Sequence, residues 1–125
     1  TFSIGDLYFR KDRNYKITTN LRKRIIKKNM GWCNDSNSMY YNKLIRVGKQ
    51  TKISHEKIFR KDYKYDLLIP IHYNYLRTVK NKGSAIFLHL TKSYRPTLGC
   101  IGLIKKDFLI LLKMVSKNSK IEIKN

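Results

Sequence analysis

GSAIFLHLTKSYRPTLGC, running from Gly83 to Cys100, decides the fold. Ala85 to Leu88 is an unbroken apolar run, which suggests a strand buried on both faces, and it delivers His89 at its end. A polar loop with Pro96 follows, then Gly99-Cys100. Strand, loop and return can bring imidazole and thiol side by side. That matters because the thiolate is the nucleophile, and a free cysteine with a pKa of about 8.5 is mostly protonated at neutral pH. A neighbouring histidine can take the proton or hold the thiolate as an ion pair. Gly99 allows a tight turn that brings backbone N–H groups toward a developing oxyanion. Taken alone, the same residues also fit a cysteine packed as a small hydrophobe and a solvent-facing histidine.

The wider stretch separates these readings. His89, a loop, and Thr97-Leu98-Gly99-Cys100 resemble the active-site signature of the YkuD-domain L,D-transpeptidases: a His, a variable loop, then Ser/Thr-x-Gly-Cys. Many members carry a second His before the Gly, where this chain has Leu98, and a longer loop. The chain is most similar to a short-loop branch with Pro-Thr in the loop. Met30-Gly31-Trp32-Cys33-Asn34-Asp35, Tyr41-Asn42, Ser54-His55-Glu56, Tyr65-Asp66 and Tyr73-Asn74 resemble that branch's other recurring words, in the same order.

The chain has 125 residues, 42% of them hydrophobic, enough for one domain with a real core. No apolar run approaches the roughly 20 residues of a membrane span. The opening Thr1 to Gly5 resembles the end of a longer family segment, so a catalytic domain over 1–125 that lacks one or two N-terminal strands is expected. The formal net charge is +20, with Lys far exceeding Arg. Such a charge attracts polyanions in a salt-sensitive way, while the abundance of Lys, Asn, Ile and Tyr favours compositional drift over selection as its origin. The two cysteines, Cys33 and Cys100, make no disulfide scaffold, and pairing them would consume the proposed nucleophile. Scattered His, unpaired Cys and few carboxylates give no metal pattern; there is no Gly-rich phosphate loop, no repeat and no aromatic-basic nucleic-acid motif. No cofactor is expected.

In order, Phe2 to Phe9 and Tyr15 to Thr19 read as strands. Leu21 to Lys28 is open between a helical turn and an exposed strand, its bases a solvated face. Gly31 to Asn42 reads as a polar loop, with Trp32 a core plug or a groove wall, and Asp35 a receptor for a cationic substrate group or a turn cap. Lys43 to Lys52 holds a short strand broken by Gly48. Asp66 to Tyr75 is a strand that Pro70 confines to a sheet edge or a bulge, with His72 facing solvent. Ile101 to Ile104 is extended, Asp107 begins a helix with apolar spacing over Phe108 to Val115, and Ile121 and Ile123 end the chain as a strand.

The fold expected is mainly β (α+β), a YkuD-like β-sandwich or open barrel with one C-terminal helix. The resemblance implies a cysteine-dependent peptidoglycan L,D-transpeptidase acting on donor and acceptor stem peptides, with no specific nucleic acid, as a monomer, in the periplasm or at the cell envelope. It implies Cys100 as nucleophile, His89 as proton donor and acceptor, and the Gly99 N–H at the oxyanion. Arg95, Thr97, Trp32, Asp35 and His55 are the candidate substrate contacts. An L,D-carboxypeptidase that trims tetrapeptide stems, and a non-catalytic basic domain that binds polyanions, are the alternatives.

Overall fold

The computed structural model describes residues 1–93 and 100–124. Its order is β1 (Phe2–Ser3), β2 (Leu7–Phe9), β3 (Lys23–Ile25), β4 (Met30–Cys33), β5 (Leu44–Arg46), β6 (His55–Lys57), β7 (Leu67–Pro70), β8 (Phe87–Leu90), β9 (Ile101–Leu103), α1 (Lys105–Met114) and β10 (Lys120–Ile121). A five-stranded mixed sheet runs β3-β2-β7-β8-β9, a three-stranded antiparallel sheet runs β5-β4-β6, and β1 pairs with β10. The expected class holds: the described residues are mostly sheet with one helix, as two packed sheets and the small β1-β10 pair, and they close no barrel.

Period-2 alternation explains the layers. Leu7, Leu67, Ile69, Leu88 and Leu90 face α1 and pack with its Phe108 and Leu112. Tyr8, Leu68 and Phe87 face the other way, toward Trp32 of the small sheet and the buried Tyr65 and Ile58. The large sheet is therefore covered on both faces, which is why β7 and β8 are buried along their whole length.

Four expectations need correcting. Tyr15 to Thr19 is no strand: β2 and β3 are parallel, so the chain between them must travel back along the sheet, and Tyr15 leaves its hydroxyl on Asp66 at 2.7 Å. Gly31 and Trp32 lie within β4 rather than in a loop, because a glycine there lets neighbours close in. A Cβ on Gly31 would stand 2.8 Å from Val47 Cγ1 and 2.9 Å from His55 Cδ2. Pro70 does not put its strand at an edge: β7 is central, and Pro70 is its last residue, where the missing N–H interrupts nothing and the carbonyl accepts from Gly5 at 2.8 Å. The ambiguous Leu21 to Lys28 resolves as the edge strand β3, whose charged side chains discourage further pairing. His72 is half-buried, stacked on Tyr75 with ring centroids 4.4 Å apart, and does not simply face solvent.

The hairpin-like approach of 10–13 to 60–66 is pinned by Asp66, only 2% exposed. Its carboxylate accepts from Arg13 Nη1 at 2.9 Å and from the Tyr15 hydroxyl at 2.7 Å. Asp66→Asn turns an N–H₂ toward one of these donors, and an unfolding titration should show a loss of about 2–4 kcal/mol.

Candidate active site

β8 and β9 are parallel, in the register Leu88↔Ile101, His89↔Gly102 and Leu90↔Leu103. Cys100, one residue before Ile101, is therefore level with Phe87. Phe87 and His89 share a face by alternation, and Cys100 packs on that same face, in the cluster of Phe87, Tyr65 and Trp32. The ladder thus places thiol and imidazole on adjacent strands, one pleat apart, looking the same way. Opposite His89, Gly102 keeps the space clear: a Cβ there would lie 3.4 Å from His89 Cε1 and 3.0 Å from Thr91 Cβ.

The imidazole is 2% exposed. Its Nδ1 lies 2.8 Å from the Leu90 carbonyl oxygen. A carbonyl can only accept, so Nδ1 carries the proton and Nε2 holds the lone pair. That Nε2 is buried and has no hydrogen-bond partner among the described residues. It is a base with nothing yet to take. Burial holds His89 below the ordinary histidine range, with the Leu90 contact pulling up and Lys64 adding to the depression.

The Cys100 sulfur donates to the Ala85 carbonyl at 3.3 Å. Burial pushes its thiol up, opposed by a hydrogen bond from the Phe87 backbone. Both directions favour neutral groups at rest, a thiol on the Ala85 carbonyl and an uncharged imidazole, rather than a preformed ion pair. Of the two roles open to the histidine, general base is the one these charges suit.

The carbonyl under the sulfur is itself held. Ala85 sits at φ 56°, a left-handed conformation unusual for a residue with a Cβ. The buried Asn42 fixes it: Oδ1 accepts from Ala85 N at 3.1 Å and from Trp32 Nε1 at 2.8 Å, while Nδ2 donates to the carbonyls of Tyr73 and Asn74. All the hydrogen-bonding capacity of the amide is used. Asn42→Ala strands these partners in the interior, and denaturant unfolding should show about 2–4 kcal/mol lost.

The other candidate residues are spread out. Trp32 is buried in the core against Phe87, so it supports the floor of the site and presents no open wall. Asp35 accepts from Asn37 N at 3.0 Å as a turn cap. His55 pairs across from Cys33, and its Nδ1 meets the Ile53 carbonyl at 2.7 Å. Its neighbour Glu56, opposite Trp32, points to the Cys100 side instead. Arg95, Thr97 and Gly99 lie outside the described residues. No disulfide joins Cys33 and Cys100, and Cys33 is buried. Asn42 and Glu56 join the site beyond the residues the sequence singles out, though both stand in the recurring words; the register opposite Trp32 is what separates Glu56 from His55. Among the described residues no cluster of His, Cys, Asp and Glu could hold a metal ion, and no helix is long and apolar enough to cross a membrane.

Cys100, just before β9, and His89 of β8 thus lie on one face of the large sheet. The family model for the YkuD L,D-transpeptidase catalytic domain matches residues 1–123, and the chain belongs to that family. No curated protein and no solved structure matches it.

Proposed function

We propose that the chain is a peptidoglycan L,D-transpeptidase that cross-links stem peptides through a Cys100 acyl-enzyme, working in the periplasm or at the cell envelope. The observation that carries this is the His89 imidazole, its Nδ1–H tied to Leu90 and its buried Nε2 free, on the same face as Cys100. His89 Nε2 takes the thiol proton as sulfur attacks the amide carbonyl that joins the diamino acid's L-centre to the terminal D-Ala of a tetrapeptide stem. The C–N bond breaks, D-Ala leaves with the proton from His89, and a thioester remains on Cys100. An amine of a second stem attacks the thioester, the C–S bond breaks, and a new amide forms. Backbone N–H groups at Gly99 and Cys100 are the proposed oxyanion donors.

The test is mass spectrometry of the purified protein and of its muropeptide products after incubation with tetrapeptide muropeptides. Adduct with dimers supports transpeptidation. Adduct with only trimmed tripeptide assigns a carboxypeptidase. Neither, from folded protein, overturns acyl transfer and leaves polyanion binding as the activity to measure.

A further inference from the structure

A chain of net charge +20 repels a cationic substrate, so the placement of its few carboxylates matters. Asp12, Asp62 and Asp66 are each spent on an arginine. Glu56 forms no ion pair among the described residues. Its Oε1 accepts the hydroxyl of Tyr65, and its Oε2 has no hydrogen-bond partner among those residues. Tyr65 cannot swing: it is buried, with its ring 5.6 Å from Phe87 and 5.9 Å from His89, centroid to centroid. The register Trp32↔Glu56 turns Glu56 toward the face that carries Cys100, and the side chain stays partly exposed. A partly exposed carboxylate is thus held by Tyr65 on the face of the thiol and the imidazole, and its charge contributes in a small way at both.

We infer that Glu56 receives the ammonium group of the incoming acceptor, so that the acyl-enzyme is resolved by an amine in preference to water. This rests on the transpeptidase function and concerns its second half-reaction. The sign of the charge separates the two halves. In the first, a carboxylate opposes the thiolate. In the second, the sulfur is an uncharged thioester and the acceptor arrives as an ammonium cation, which the carboxylate attracts. The acceptor ammonium gives one proton to bulk water. The amine lone pair then attacks the thioester carbon, the C–S bond breaks, and the amine's second proton passes through His89 to the Cys100 sulfur as the new amide forms.

The experiment preforms the acyl-enzyme with a tetrapeptide muropeptide. It then offers either an acceptor stem that is cationic at neutral pH or hydroxylamine, which is uncharged there. Products are counted by mass spectrometry against hydrolysed tripeptide. Glu56→Gln keeps an oxygen for Tyr65. It should acylate at least as fast as wild type, yet its ratio of cross-linked to hydrolysed product should fall about tenfold with the cationic acceptor and stay unchanged with hydroxylamine. Equal ratios in wild type and variant for both acceptors overturn the inference while leaving transpeptidation intact. If Glu56→Gln does not acylate, the wild type decides: salt should lower the cationic acceptor's share alone, and a salt-independent share overturns the assignment. A wild type that forms no acyl-enzyme refutes the underlying function, and the role of Glu56 with it.

Discussion

Cys100→Ala should leave no covalent adduct after incubation with tetrapeptide muropeptides, and should lower product formation at least about 1000-fold. Cys33→Ala should keep both adduct and product. The contrast follows from position. Cys33 is fully buried in β4, opposite His55, with its Sγ 3.9 Å from the Asp35 carbonyl, and it packs as a small hydrophobe. Cys100 stands half-exposed on the face that His89 shares. No neighbouring group can replace it, because the covalent intermediate needs a nucleophile at that register position. The loss should not come from unfolding, since removing one sulfur from a part-exposed site costs only about 1 kcal/mol. Thermal melts of the two variants run beside the mass spectra check this. A Cys100→Ala protein that still forms adduct would move the nucleophile elsewhere.

His89→Gln should lower the rate between about 100- and 10000-fold, and should change the shape of its pH dependence. In the wild type the reactive state needs His89 neutral. Burial holds its pKa below the ordinary value, so activity should rise through a midpoint under about 6.5. It should then stay level until the thiol itself ionises, above the ordinary cysteine value because burial pushes Cys100 up. Without the base, only the thiolate already present can react. The residual rate of His89→Gln should therefore climb about tenfold per pH unit across the neutral range, with no acid-side plateau. Alkylation by iodoacetamide gives an independent reading: Cys100 of the resting protein should react slowly at pH 7 and faster as the pH rises. Fast alkylation at pH 7 would show a preformed ion pair and refute the general-base assignment.

How far the sequence foretold this structure depends on what kind of contact each element needs. The run Ala85 to Leu88 and the helix, which starts at Lys105 and not at Asp107, announce themselves, because burial on two faces or on one stripe is written in the apolar pattern. The frame is shifted: β8 begins at Phe87, so His89 lies within the strand and not beyond its end. The reason is Ala85, turned out of extended geometry by Asn42, a contact between residues far apart in sequence that no local pattern encodes. Tyr15 to Thr19 misleads in the opposite way, its β-branched residues serving an irregular crossing whose path is set by the parallel pairing of β2 and β3. His89 and Cys100 were legible as a pair through the resemblance. That Nδ1 is the protonated nitrogen, and that Glu56 rather than His55 shares their side, required the register of strands that the sequence does not show.

The parallel ladder between β8 and β9 has a last consequence. Parallel neighbours cannot be joined by a tight hairpin, so the connection from Leu90 to Ile101 links opposite ends of the pair. The spacing of Cys100 from His89 is set by backbone hydrogen bonds between the strands, not by whatever residues join them. Cys100 and His89 therefore keep their relation for as long as the pairing of β8 and β9 holds. A scaffold wired this way entrusts the relation of two side chains to strand pairing, which many backbone hydrogen bonds share, and not to any single contact between them.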